Sequence, residues 1–123
     1  IGDPELDQDI QNIEEHYILV DGEFLVIELN KSVIGMGGFR KKNEDTAEIK
    51  RIRIDRNHQQ CGYGGKILKE LEMIAKKRGF CRVILDTTIN QIPAQKLFSK
   101  NGYVETYRRS YRGLEIIFYE KFI

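Results

Sequence analysis

Ile52-Arg53-Ile54-Asp55-Arg56-Asn57-His58-Gln59-Gln60-Cys61-Gly62-Tyr63-Gly64-Gly65-Lys66-Ile67-Leu68 carries an apolar strand into a polar loop with closely spaced glycines, then into an amphipathic helix. Glycine permits φ > 0 and lets a ligand approach the backbone closely. The first turn of a helix holds free N–H groups and a partial positive charge. Together these features make an anion site, most often for phosphate or diphosphate. An ordinary strand-to-helix connection that carries glycines is the alternative.

Immediately upstream, the strand breaks its own rhythm. Ala47 and Ile49 share one face at period two, and Ile52 and Ile54 share a face in the opposite phase. A regular strand would send one pair to the wrong side. A β-bulge near Lys50-Arg51 resolves the conflict; burial of both faces of a central strand is the alternative. Residues 23–29 and 33–40 flank the turn Asn30-Lys31-Ser32 and form an antiparallel meander with residues 47–54. Gly35, Gly37 and Gly38 inside the second strand mark a bulge or a close backbone approach. Before the meander, Asp3-Pro4 is a helix start, and Leu6, Ile10, Ile13 and Tyr17 follow at helical spacing.

Downstream, residues 64–78 form a helix whose apolar stripe is Ile67, Leu68, Leu71, Ile74 and Ala75, closed by Gly79. Residues 82–85 read as a buried strand, which the preceding helix returns to parallel pairing. Residues 87–92 read as a loop, and Pro93 opens a short helix that stops at Asn101-Gly102. Residues 103–110 and 114–122 are the last strands. The fold class is α/β: a mixed central sheet, with an antiparallel meander plus a β-loop-α-β core, in one domain over residues 1–123. No obvious strand precedes the first, acidic helix.

Composition adds two constraints. The net charge is +1, but residues 1–30 hold nine acids and no Lys or Arg, so all 20 bases follow. Such asymmetry suggests two faces with different electrostatic tasks, or simply a solvated acidic helix and a solvated basic one. The bases are interspersed with acids and match no nucleic-acid motif, so a nucleic-acid-binding domain ranks last. Cys61 and Cys81 lack metal-ligand spacing, and no signal peptide or membrane span is visible. The expectation is a cytoplasmic, reduced protein with no nucleic-acid, metal or membrane partner. A homodimer is compatible with it.

Two ordered motifs carry a resemblance. Gln59-Gln60-Cys61-Gly62-Tyr63-Gly64 reads Q-x-x-G-x-G and resembles the acyl-CoA pyrophosphate loop, R/Q-x-x-G-x-G/A, of the GNAT superfamily of N-acetyltransferases. It is neither a P-loop nor a Rossmann fingerprint. About 30 residues on, the run from Gln91 to Tyr103, with Ala94, Leu97, Phe98 and Gly102 in register, resembles that family's second signature, N-x-x-A-x-x-L-Y-x-x-x-G-F. Residues 47–54 look like its bulged fourth strand, and Leu85-Asp86-Thr87 like the end of its fifth.

The resemblance implies acetyl-CoA as co-substrate and an amine as acceptor. It implies that the main chain of Ile52, Arg53 and Ile54 pairs with the pantetheine amides. The N–H groups from Gln60 and Cys61 through Gly62, Tyr63, Gly64 and Gly65 hold the diphosphate. Gln59 takes the Arg/Gln slot, Gln91 stands where Asn is usual, and Lys100 reaches a CoA phosphate. Glu48 is the candidate base; pairing with Lys50 or Arg40 as a surface carboxylate is its alternative. Gly64→Val is expected to crowd the diphosphate.

Two departures accompany the resemblance. Phe98 fills the slot where many relatives carry Tyr, the acid for the CoA thiolate, so a non-catalytic acyl-CoA-binding module is the rival function. The family's usual first strand is also missing, through trimming of the chain, supply by a neighbouring molecule, or a short variant of the fold. The acidic first helix, with Glu14 and Glu15, would lie near the acceptor entrance and suggests a cationic acceptor. His16 reads as structural, His58 as a loop-packing or solvent residue, and Cys61 as an inert small residue with an oxidisable thiol as the alternative.

Overall fold

A computed structural model describes residues 22–123. The expected first helix, with His16 and the acids Glu14 and Glu15, lies outside the described residues. Within them the order is β1 (Glu23–Leu29), β2 (Ser32–Lys41), β3 (Thr46–Ile54), α1 (Tyr63–Lys77), β4 (Arg82–Thr88), α2 (Ile92–Lys100), β5 (Val104–Tyr111) and β6 (Leu114–Phe122). A single 3-10 turn, Arg56–His58, sits between β3 and α1. The six strands form one sheet in the order β1-β2-β3-β4-β6-β5. All neighbours run antiparallel except β3 and β4, which the α1 crossover makes parallel. The mixed α/β sheet matches the sequence reading.

The widest boundary difference lies after β4. The expected loop over residues 87–92 is shorter, because β4 runs on through Thr87 and Thr88. Both continue the ladder with β6, opposite Ile117 and Ile116. Thr87 is buried, and its β-branched side chain suits a strand better than a loop.

The core lies between the sheet and the two helices. Ile67, Leu68, Leu71 and Ala75 of α1 are buried, as the 3.6-residue stripe requires. They pack against Phe39, Ala47, Ile49, Val83 and Leu85, and the cluster continues to Phe98, Tyr103, Ile117 and Tyr119. Ile52 and Ile54 pack on the same cluster. The bulge accounts for this. Met36 pairs with Arg53 and Gly38 with Lys50, so three steps along β3 match two along β2. Arg51, inside the extra step, has φ 62°. The insertion restores the phase, so Ala47, Ile49, Ile52 and Ile54 all reach the core.

The β2 glycines make room for that arrangement. A Cβ on Gly37 would stand 2.7 Å from both Ile52 Cδ1 and Ile67 Cγ2. A Cβ on Gly35 would stand 3.0 Å from Ile54 Cδ1. The close approach expected at these glycines is therefore made by side chains of β3 and α1 packing onto β2.

At the far end of α1, Glu72 accepts a hydrogen bond from the Tyr103 hydroxyl at 2.7 Å and pairs with Lys121 Nζ at 2.8 Å. This network ties α1 to the start of the β5–β6 hairpin and to β6 itself. Among the described residues no helix is long and apolar enough to cross a membrane, and no group of His, Cys, Asp and Glu could hold a metal.

Candidate active site

The site begins where two strands part. β3 pairs with β4 only through Thr46–Arg82, Ala47–Val83 and Glu48–Ile84. Beyond that point β3 bulges at Arg51 and stays with β2, while β4 stays with β6 through Thr88. The gap between them is a cleft of about 340 Å³. Ile49, Lys50, Arg51 and Ile52 form one wall, and Leu85, Asp86 and Thr87 the other. Gln91, Ala94 and Phe98 of the α2 region close it.

The glycine loop follows directly from the β3 wall. Gln60 and Gly62 both have positive φ, 61° and 88°. Left-handed residues alternating with ordinary ones turn successive N–H groups toward one concave side, which suits an anion. The helical ladder of α1 starts with the Lys66 N–H donating to the Gly62 carbonyl at 3.1 Å. The N–H groups of Tyr63, Gly64 and Gly65 therefore lie in the free first turn. Gln59 braces the loop, its side-chain amide donating to the Ile54 carbonyl at 3.1 Å. Asp55 Oδ2 holds His58 Nδ1 at 2.9 Å, so His58 is a loop-packing residue as the sequence suggested. Cys61 is exposed, with Sγ 3.5 Å from the Gln59 carbonyl.

α2 is positioned by contacts to both sides of the cleft. Gln95 donates its amide to the carbonyls of Thr88 and Ile89, at 3.1 and 2.9 Å. That clasp shapes the turn that delivers Gln91. Leu97 meets α1 at Gly64, where a Cβ would lie 2.9 Å from Leu97 Cδ2. Gly64 therefore opens toward α2, so Gly64→Val would also strike Leu97. Gly62 faces open space.

The sequence-predicted residues fall into three groups. Ile52, Gln91 and Phe98 line the cleft. Arg53 and Ile54 continue the β3 wall into the loop, where Gln59, Gln60, Cys61, Gly62, Tyr63, Gly64 and Gly65 follow. Lys100 is exposed on the last turn of α2. It precedes Asn101, whose Oδ1 lies 3.5 Å from the Cβ position of Gly65. Phe98 is buried, edge-on to Tyr119 at 5.5 Å, and brings no hydroxyl to the cleft. The nearby hydroxyls do not replace it: Tyr107 is stacked on Phe118 at 4.4 Å and Ser99 is exposed, and neither lines the cleft.

Glu48 stands at the last β3–β4 pair, half-buried, with Oε1 3.3 Å from Arg40 Nε. The ion pair weighed as its alternative is thus present. A second carboxylate, Asp86, was not singled out by the sequence reading. It lines the cleft two residues further along β4. Crowding by the surrounding protein pushes its carboxyl above the usual range. The nearby Lys50 opposes that shift and the nearby Glu48 adds to it. Its sequence signal was a lone acid ending the apolar run Val83-Ile84-Leu85.

Similarity to known proteins agrees with this geometry. Residues 2–103 match the model of the Acetyltransferase (GNAT) family. The chain is 28% identical over 104 residues to human N-acetyltransferase 8, covering 80% of this chain and 46% of that protein. It is 30% identical over 99 residues to the uncharacterized N-acetyltransferase YjcF of Bacillus subtilis, covering 80% of this chain and 61% of YjcF. The chain thus spans about half the length of the curated relatives it matches. Among solved structures, a GNAT-family acetyltransferase from Staphylococcus aureus superposes with a TM-score of 0.87 at 23% identity, covering 98% of this chain and 80% of that one. Another, from Elizabethkingia anophelis with acetyl-CoA bound, gives 0.77 at 21% identity, covering 98% and 87%. At such identities these two establish the shared fold. With the parted strands, the glycine loop and a family match over most of its length, this chain belongs to the acetyltransferase (GNAT) family.

Proposed function

We propose that the protein transfers an acetyl group from acetyl-CoA to a primary amine by direct attack. The cleft between β3 and β4, opening beside a glycine-lined helix start, is the observation that carries this reading. The N–H groups of Gln60 through Gly65 hold the diphosphate, where the helix dipole favours its charge. Gln59 fixes the loop to the end of β3, and Lys100 reaches a CoA phosphate. The pantetheine arm lies along Ile52, Arg53 and Ile54, on the stretch of β3 that β4 has left.

The attacking amine must be neutral, so an ammonium has to lose a proton first. Two carboxylates, Glu48 and Asp86, stand beside the cleft and serve that step. A main-chain N–H on the β3 side polarises the thioester carbonyl. A cationic amine is the acceptor class that these carboxylates favour.

A coenzyme-binding module without turnover is the second reading, favoured by the missing hydroxyl at Phe98. A free thiol titrates near pH 8.5, so the thiolate can still leave near neutrality without an acid. Calorimetry with acetyl-CoA, followed by thiol detection across an amine panel, tests both readings. Saturable binding and amine-dependent thiol release are expected. Binding without release by any amine would favour the module, and no binding would overturn both.

A further inference from the structure

We propose that Asp86 takes the proton from the attacking amine, and that Glu48 acts through Asp86 as a positioning residue. The assignment rests on the acetyl-CoA reading of the cleft.

Three observations separate the two carboxylates. First, Asp86 lines the cleft, whereas Glu48 sits at the last β3–β4 pair, before the strands part. Second, Glu48 is already engaged, with its Oε1 on Arg40. Asp86 has no hydrogen bond or ion pair among the described residues, so its oxygens are open to a ligand. Third, although Asp86 is exposed, the protein around it displaces enough water to hold its carboxyl above the usual range. A stronger base is better suited to an amine proton.

The charged neighbours are specific. From β3, Glu48 raises the carboxyl and Lys50 lowers it. Across the sheet β6 places apolar Phe118 opposite Asp86, with Tyr107 of β5 stacked on it. Arg109 of β5 lies two register positions away, opposite Ile116. Further back, Arg82 and Glu120 pair with each other at 2.8 Å. The α2 region contributes the uncharged Gln91.

The ammonium gives one proton to the Asp86 carboxylate. The freed nitrogen lone pair attacks the thioester carbonyl carbon, the C–S bond breaks, and its electrons leave on the CoA thiolate. The acetylated nitrogen sheds its second proton to water, giving an amide, and Asp86 later returns its proton to the thiolate or to solvent.

The test uses Asp86→Asn, Glu48→Gln and Lys50→Met with acetyl-CoA and spermidine, glucosamine or an Nα-acetyl-lysine amide. Asp86→Asn should lower kcat/KM for the amine by about 10²–10⁴-fold, with calorimetric acetyl-CoA affinity unchanged. Asp86→Glu should recover part of the loss. In the pH profile of kcat/KM, Glu48→Gln should move the acidic limb to lower pH, because a neighbouring anion has gone. Lys50→Met should move it to higher pH. Because nothing binds the Asp86 side chain, Asp86→Asn should fold as the parent does. An Asp86→Asn enzyme within threefold of the parent overturns the proposal. So does a Glu48→Gln enzyme that loses activity while Asp86→Asn keeps it, or a limb that ignores both charge changes. Failure of the parent to bind acetyl-CoA is the separate outcome that defeats the reading beneath.

Discussion

Individual residues decide whether the cleft exists. Gly37 leaves only enough space for Ile52 and Ile67 to meet over β2. Gly37→Ala should destabilise the protein by about 1–3 kcal/mol, since the added methyl overpacks a closed site. Urea denaturation reads the loss, and an unchanged midpoint would refute the close packing. The same change should weaken acetyl-CoA binding, because Ile52 is also a wall of the cleft. The bulge was legible in the sequence because Ala47/Ile49 and Ile52/Ile54 are out of phase. The part played by Gly64 was not, since Leu97 meets it only after α2 has folded back. Asp86 was missed for a related reason. A lone carboxylate at a strand end looks ordinary until the neighbouring strand is seen to leave it.

At the scale of elements, the Tyr103–Glu72–Lys121 network fixes α1 against the hairpin. Burial is the main cause, and the bond to Glu72 the next, that pushes the Tyr103 phenol far above its usual range. The folded protein therefore keeps this proton where the unfolded chain, near pH 10, gives it up. Below pH 10 the group contributes no pH dependence. Above it the unfolded state is favoured progressively, by at most about 1.4 kcal/mol per pH unit. Stability should fall as pH rises past about 10, and Tyr103→Phe should flatten part of that fall. The variant should cost about 1 kcal/mol at neutral pH, through the lost hydrogen bond. Thermal melts across alkaline pH check both, and an equal slope in the two proteins would contradict the assignment. Element types were readable from periodicity, whereas β4 ended later than expected because pairing with β6 continues its ladder through Thr88.

For the whole molecule, the topology places a strand divergence beside a helix start, and the chemistry follows from that juxtaposition. The element order was legible because turn residues and apolar periods agree along residues 23–122. The order of strands in space was not, since local sequence does not say that β6, the second strand of its hairpin, docks on β4. The most direct measurement is a crystal structure of the protein with acetyl-CoA. The diphosphate should accept hydrogen bonds from main-chain N–H groups between Gln60 and Gly65, with the pantetheine arm between Ile52 and Thr87 and the thioester beside Asp86. Coenzyme A bound elsewhere, or an empty β3–β4 cleft in the complex, would contradict the account.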